Sequence, residues 1–226
     1  MTASSSSDAG LRRGPCRRRV AGMIIFAVLA AQCLCGAPPP AKPLAKPLAA
    51  APAAPIAYGK GTELAKLASQ AVKESSGIAC SRSAPGVFWT HNDSGSQPVL
   101  YAFGMKGEDL GAFTVREAAA VDWEDVASYS LKGQNFILIA DVGDNNTKRS
   151  DCTIYIVKEP KASNGRMRPS DLQLAARQGF VYEGGPRNCE SAAVDPVRRE
   201  IVLVSKTFDG ACNAYALPLP ERKTPA

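Results

Sequence analysis

Asp122-Trp-Glu-Asp-Val-Ala127, then Phe136-Ile-Leu-Ile-Ala140, then Thr153-Ile-Tyr-Ile-Val157 is the stretch on which the reading of this chain turns. Its middle run is short and wholly apolar, the pattern of a strand buried on both faces. The same order recurs on either side. Upstream stand Glu74-Ser-Ser-Gly-Ile-Ala79, Gly86-Val-Phe-Trp-Thr-His91 and Val99-Leu-Tyr-Ala-Phe103. Downstream stand Asn188-Cys-Glu-Ser-Ala-Ala193, Ile201-Val-Leu-Val-Ser205 and Asn213-Ala-Tyr-Ala-Leu217. Tyr101, Tyr155 and Tyr215 hold one place in each copy. Turn signals separate the runs: Ser-Ala-Pro-Gly before Val87, Leu-Lys-Gly before Gln134 and Asp-Pro before Val197. Gly111–Val115 and Gln178–Tyr182 supply a fourth strand to the first two copies. Residues 62–72 read as a short helix with Leu64, Leu67 and Ala71 on one face, or as a further strand.

The repeat openings at Glu74, Asp122 and Asn188 stand 48 and 66 residues apart. Units of four short antiparallel strands at about 40–50 residues each are the blades of a β-propeller. The longer second unit holds the polar stretch Lys158–Asp171, which reads as a loop. The expected fold is therefore all-β and propeller-like, with about three four-stranded blades in an incomplete ring. A β-sandwich is the alternative, and it does not account for the polar residues that recur at each opening. After Leu217 comes Pro-Leu-Pro-Glu-Arg-Lys-Thr-Pro-Ala, with no fourth strand for the last blade. Closed propellers need about four to eight blades. The chain thus reads either as a truncated, non-functional fragment of a larger propeller or as one that completes itself through self-association at open blade edges.

Trp89-Thr-His-Asn-Asp-Ser-Gly95, Asp122-Trp-Glu-Asp125, Asp141-Val-Gly-Asp-Asn145, and Tyr182-Glu-Gly-Gly-Pro-Arg187 followed by Glu190-Ser-Ala-Ala-Val-Asp-Pro196 carry a resemblance. The region from about residue 74 to 217 resembles a group of exported, largely uncharacterised bacterial β-propeller proteins. That group is similar in architecture to six-bladed propellers that include calcium-dependent lactonases, phytases and related esterases. The resemblance implies a propeller fold and places an activity of that kind among the expectations, by fold analogy alone.

Antiparallel geometry sets where chemistry could sit. The first strand of a blade starts at the rim where the second ends, so openings and exits share one face. The openings form two columns: Glu74, Asp122 and Asn188, then Ser76, Glu124 and Glu190, spaced by two and so expected on one side of the strand. The exits add His91-Asn92-Asp93, Asp141 with Asp144-Asn145-Asn146, and Lys206-Thr207-Phe208-Asp209. One mouth of the channel then collects about a dozen oxygen-bearing side chains. Clustered carboxylates and amides suit a hard cation, calcium before magnesium. The expected metal ligands are Asp122, Glu124, Glu190, Asp93, Asp141 and Asp144. Glu74, Asn92, Asn145, Asn188 and Trp123 are expected to face a ligand. The competing reading makes these acids backbone acceptors that lock neighbouring sheets together. His91, the one histidine, is the candidate general base of a calcium-dependent hydrolase acting on an ester, lactone or phosphate; a structural donor is the rival role. The leading function is a binding or scaffold module.

Charge divides the chain. Its net charge is +6, and all of that excess lies in residues 1–57, which hold seven Lys or Arg against Asp8. Residues 58–226 carry 20 basic and 20 acidic residues, a balance that argues against nucleic acid as a partner. Residues 1–37 read as an export signal or membrane anchor: Arg12 to Arg19 precede the apolar run Val20–Ala31, too short for an ordinary bilayer span. Cys33 follows Leu29-Ala-Ala-Gln, close to a lipoprotein cleavage box, although Gln32 stands where a small residue is usual. Lipidation at Cys33 and an uncleaved anchor are both open readings. Residues 38–57 read as a Pro/Ala-rich spacer, and 58–226 as the partial propeller. The expected location is periplasmic, envelope-attached or extracellular, with membrane contact only through the N-terminal segment or a lipid. The exported body keeps Cys80, Cys152, Cys189 and Cys212, which are expected mainly as free buried thiols.

Overall fold

The computed structural model describes residues 41–49, 57–162, 167–207, 210 and 212–220. The expected leader (1–37), Cys33 and much of the expected spacer lie outside these residues, as does Asp209. Among the described residues there are strands and no helix, so the chain is all-β as expected. No helix there is long and apolar enough to cross a membrane.

The strands are β1 (Leu44–Pro47), β2 (Ser75–Cys80), β3 (Val87–Asn92), β4 (Val99–Gly104), β5 (Asp109–Thr114) and β6 (Trp123–Leu131). They continue as β7 (Gln134–Asp141), β8 (Cys152–Lys158), β9 (Leu174–Tyr182), β10 (Cys189–Asp195), β11 (Glu200–Lys206) and β12 (Cys212–Pro218). β2 to β5 form a four-stranded antiparallel sheet, the first unit. The other eight strands form one sheet in the order β10-β11-β12-β1-β9-β8-β7-β6. Its end strands meet again: Asp125 of β6 accepts a hydrogen bond from the Ala192 N–H of β10 at 2.8 Å, so the sheet curls nearly into a barrel.

The apolar run in β7 behaves as its composition dictates. Ile137 and Ile139 enter a core shared with the first unit, including Trp89, Leu100 and Phe113. Leu138 and Ala140 enter a second core shared with β10 to β12, including Ile201, Leu203 and Leu217. Burying each Ile or Leu contributes roughly 1.5–3 kcal/mol, so this one strand anchors both sides of the molecule. The β6–β7 hairpin turns on Lys132 and Gly133, both at positive φ (50° and 75°), the conformation a two-residue turn needs to match strand twist.

Three expectations are corrected. The second and third units are not separate four-stranded blades: β1 joins them into one eight-stranded sheet. Residues 62–72 form neither helix nor strand; their apolar positions are too few to bury a face, and Leu64 is 85 % exposed. Nor does the third unit lack a fourth strand: β1, from the expected spacer, supplies it. β1 pairs antiparallel with β12 (Lys46 opposite Ala216) and parallel with β9 (Leu44 opposite Val181), so the sheet is not purely antiparallel. The Pro43 and Ala45 carbonyls accept from Val181 and Glu183, and Leu48 N–H donates to Ala214. The two prolines at its ends fit because a strand end can forgo a donor. Ala45 is fully buried, and Lys42 pairs with Asp151. The segment thereby covers two sheet edges that would otherwise be open.

Candidate functional site

Each unit begins with a disturbance at the same place. The register of β2, β6 and β10 against its neighbour shifts between Ser75 and Ile78, between Trp123 and Asp125, and between Cys189 and Ser191. These are β-bulges, each with an extra residue that re-aims side chains. The extra residues of the second and third units are Glu124 and Glu190. Simple alternation, on which the two expected columns rested, therefore fails locally: neighbours Trp123 and Glu124 are both buried. A shared backbone clamp holds each bulge. Asp93 N–H donates to the Glu74 carbonyl, Val142 and Gly143 to that of Asp122, and Lys206 to that of Asn188.

The second column does converge. Ser76 Oγ donates to Glu124 Oε2 at 3.1 Å, and Glu190 lies close enough to raise the Glu124 pKa. Asp93, Asp122 and Glu124 each bring one carboxylate oxygen within 4.8 Å of the other two. Glu124 is 4 % exposed. Burial pushes its pKa up to about 7, helped by the charges of Glu190, Asp93 and Asp122 and opposed by the Ser76 hydrogen bond. Burial also raises Asp122, with Asp93, Asp141 and Glu190 adding and Arg149 opposing. Asp122 Oδ1 is buried without a hydrogen-bond partner, a costly state for a carboxylate oxygen. Gly143 makes the crowding feasible: a Cβ there would overlap Asp122 Oδ2 and Glu124 Oε1.

The other expected ligands are held elsewhere. Asp141 accepts from the N–H groups of Val121 and Asp122 and from Arg149 Nη1 at 2.8 Å. Asp144 accepts from the N–H groups of Lys148 and Arg149, closing its loop. Asn188 takes the Asp144 N–H and donates to Asn145 and Glu190. Glu190 pairs with Lys206 at 2.9 Å. Asn92 pins the preceding segment, accepting from Lys73 and Glu74 N–H and donating to the Ala71 carbonyl. Glu74 is exposed. Trp123 is core, its Nε1 donating to the Ala119 carbonyl.

His91 is fully buried, its ring edge-on to Trp123 at 5.8 Å. Nδ1 donates to the Asn92 carbonyl at 2.9 Å, which leaves Nε2 unprotonated and without a partner. Burial lowers its pKa, with the Asn92 carbonyl and Asp93 opposing, so the ring is held neutral.

Sequence reading passed over Asp125, Arg149 and Glu159. Asp125 joins units two and three through Ala192, and its neighbours Asp122 and Glu124 drew attention away from it. Arg149 lies in a polar loop with no periodic signal. Glu159 is buried at the end of β8 and accepts from Trp89 Nε1, Ser83 Oγ and Arg82 N–H. The four body cysteines are all free, with Cys152 and Cys189 buried and Cys80 and Cys212 exposed. The expectation of burial therefore holds for two of them.

No protein-family model matches the chain, and no curated protein matches it.

Proposed function

We propose that the protein is a sector of a β-propeller that acts as an exported binding module and holds a calcium ion on Asp93, Asp122 and Glu124. The carrying observation is the convergence of three carboxylate oxygens within 4.8 Å, one of whose side chains keeps a buried oxygen with no donor. Like charges that close are tolerated only by protonation or by a cation between them. The donors are all carboxylate oxygen, which favours a hard cation, and calcium accepts an irregular carboxylate set more readily than magnesium, which demands a near-ideal octahedron. Glu190 borders the group and adds negative potential.

The propeller reading is supported by units whose openings share one bulge and one clamp. Binding is preferred to hydrolysis because His91, the single histidine, is buried with Nδ1 committed to a carbonyl. Export rests on the basic and apolar pattern of the first 37 residues.

The test is a thermal melt in about 1 mM calcium against chelator. The midpoint is expected to rise by several degrees in calcium, and Asp122→Asn is expected to abolish the rise. An unchanged midpoint in the wild type overturns the assignment.

A further inference from the structure

We propose that two copies of this chain associate by stacking the free sheet face of the first unit of each on the free sheet face of the third unit of the other. Such pairing needs no ion at the rim. The strand registers align the three units. Thr90 opposite Tyr101, Ile139 opposite Tyr155 and Leu203 opposite Tyr215 are the same pair in successive units.

With that alignment each unit has two distinct faces. The leading face of the second unit carries Val126, Ile137, Ile139, Tyr155 and Val157, each no more than 2 % exposed against the first unit. In the third unit the same five places are Ala192, Ile201, Leu203, Tyr215 and Leu217, none above 8 % and all packed on the second unit. In the first unit they are Ile78, Phe88, Thr90, Tyr101 and Phe103. There Thr90 is buried, its hydroxyl donating to the Gly77 carbonyl, but Ile78 is 60 % exposed, and the Phe88, Tyr101 and Phe103 side chains are only half-buried, with the two phenyl rings stacked at 5.4 Å.

The opposite, trailing faces show the same interruption. Trp89, Leu100 and Ala102 of the first unit and Leu138, Ile154 and Ile156 of the second are buried. Their third-unit equivalents Val202, Ala214 and Ala216 are half-buried, and Ala193, the counterpart of buried Ala79, is exposed. Among the described residues there are therefore two complete junctions of one kind and the two unmatched halves of a third. Repeats of this type cannot bury their apolar faces alone and do so against a neighbouring repeat. The bulky leading face with its aromatic rings meets a trailing face of Ala and Val, so the halves differ in relief as well as in position. A contact between different faces either closes or propagates; reciprocal stacking of two copies closes it and leaves no apolar sheet face of this size in water.

Sedimentation velocity on the full chain tests this, with Ile78→Glu and Ala193→Glu placing a charge on either half. Both positions are exposed, so the variants keep their fold, which circular dichroism verifies. The wild type is expected to sediment as a pair at micromolar concentration. Each variant alone is expected to weaken pairing at least about 100-fold by trapping a charge against apolar surface. An equimolar mixture of the two is expected to recover pairs, because one junction stays wild type. Val197→Glu, at a position 90 % exposed in the β10–β11 turn, is expected to leave pairing intact. A monomeric wild type at about 50 μM, which segments outside the described residues would produce by covering these faces, overturns the proposal. So does loss of pairing in Val197→Glu, an Ile78→Glu protein that still pairs as the wild type, or a mixture that stays monomeric.

Discussion

Asp141 closes β7 opposite Trp123, Asp122 is the residue just before β6, and the carboxylates of these two neighbours have opposite fates. Asp141 is 1 % exposed and accepts two backbone N–H bonds and the Arg149 guanidinium. Asp122 keeps a buried oxygen that no donor reaches. Both are acids at the mouth of the same two strands. Residue type alone therefore does not mark a binding group. A satisfied acid holds the fold, and an unsatisfied one holds free energy that a cation can release. Asp141→Ala is therefore expected to be the most damaging single change, at about 3–5 kcal/mol, because it removes the counter-charge of a largely buried guanidinium and leaves two N–H groups without their acceptor. Urea denaturation measures it; a loss below about 1 kcal/mol would erase the distinction between the two acids.

The distinction was only partly legible in the sequence. The strands were legible because Phe136-Ile-Leu-Ile-Ala140 admits one period and because the Tyr101, Tyr155 and Tyr215 positions locked the three copies together. The convergence of Ser76, Glu124 and Glu190 followed from that alignment. What could not be read was which oxygen each carboxylate would surrender. That depends on Gly143, whose missing Cβ lets Asp122 and Glu124 crowd together, and on Arg149, which reaches Asp141 from a loop without a pattern. Nor could β1 be read from its composition, since Leu44-Ala-Lys-Pro47 pairs through its backbone and signals little through its side chains.

A smaller effect isolates the unsatisfied side of the comparison. Glu124 binds its proton more tightly when folded, at about 7, than at its ordinary value of 4.5. The folded state thus holds more protons between these values. The contribution to stability is complete below about pH 4.5 and is lost as pH rises through 7. Without calcium, Glu124→Gln is expected to flatten this slope and to exceed the wild type by on the order of 2 kcal/mol at pH 8, while matching it near pH 4.5. Calcium is expected to raise the wild-type midpoint more at pH 8 than at pH 6, since the ion displaces that proton. Denaturation curves at three pH values read both effects, and a wild-type slope that persists in Glu124→Gln assigns it to another group.

The smallest expected effect lies in the column that failed to assemble. Glu74 holds the alignment position of Asp122, so alignment alone gives the two equal standing. The backbone carbonyl of Glu74 does keep the shared role, accepting from Asp93 N–H. Its side chain is exposed and belongs to no carboxylate group of the rim. Any side chain preserves that carbonyl bond. Glu74→Ala is therefore expected to change stability by less than about 0.5 kcal/mol and to leave the calcium-induced midpoint shift as it is in the wild type. A calcium response that falls with Glu74→Ala as it does with Asp122→Asn would extend the site to the opening of the first unit and restore the column that the bulges break.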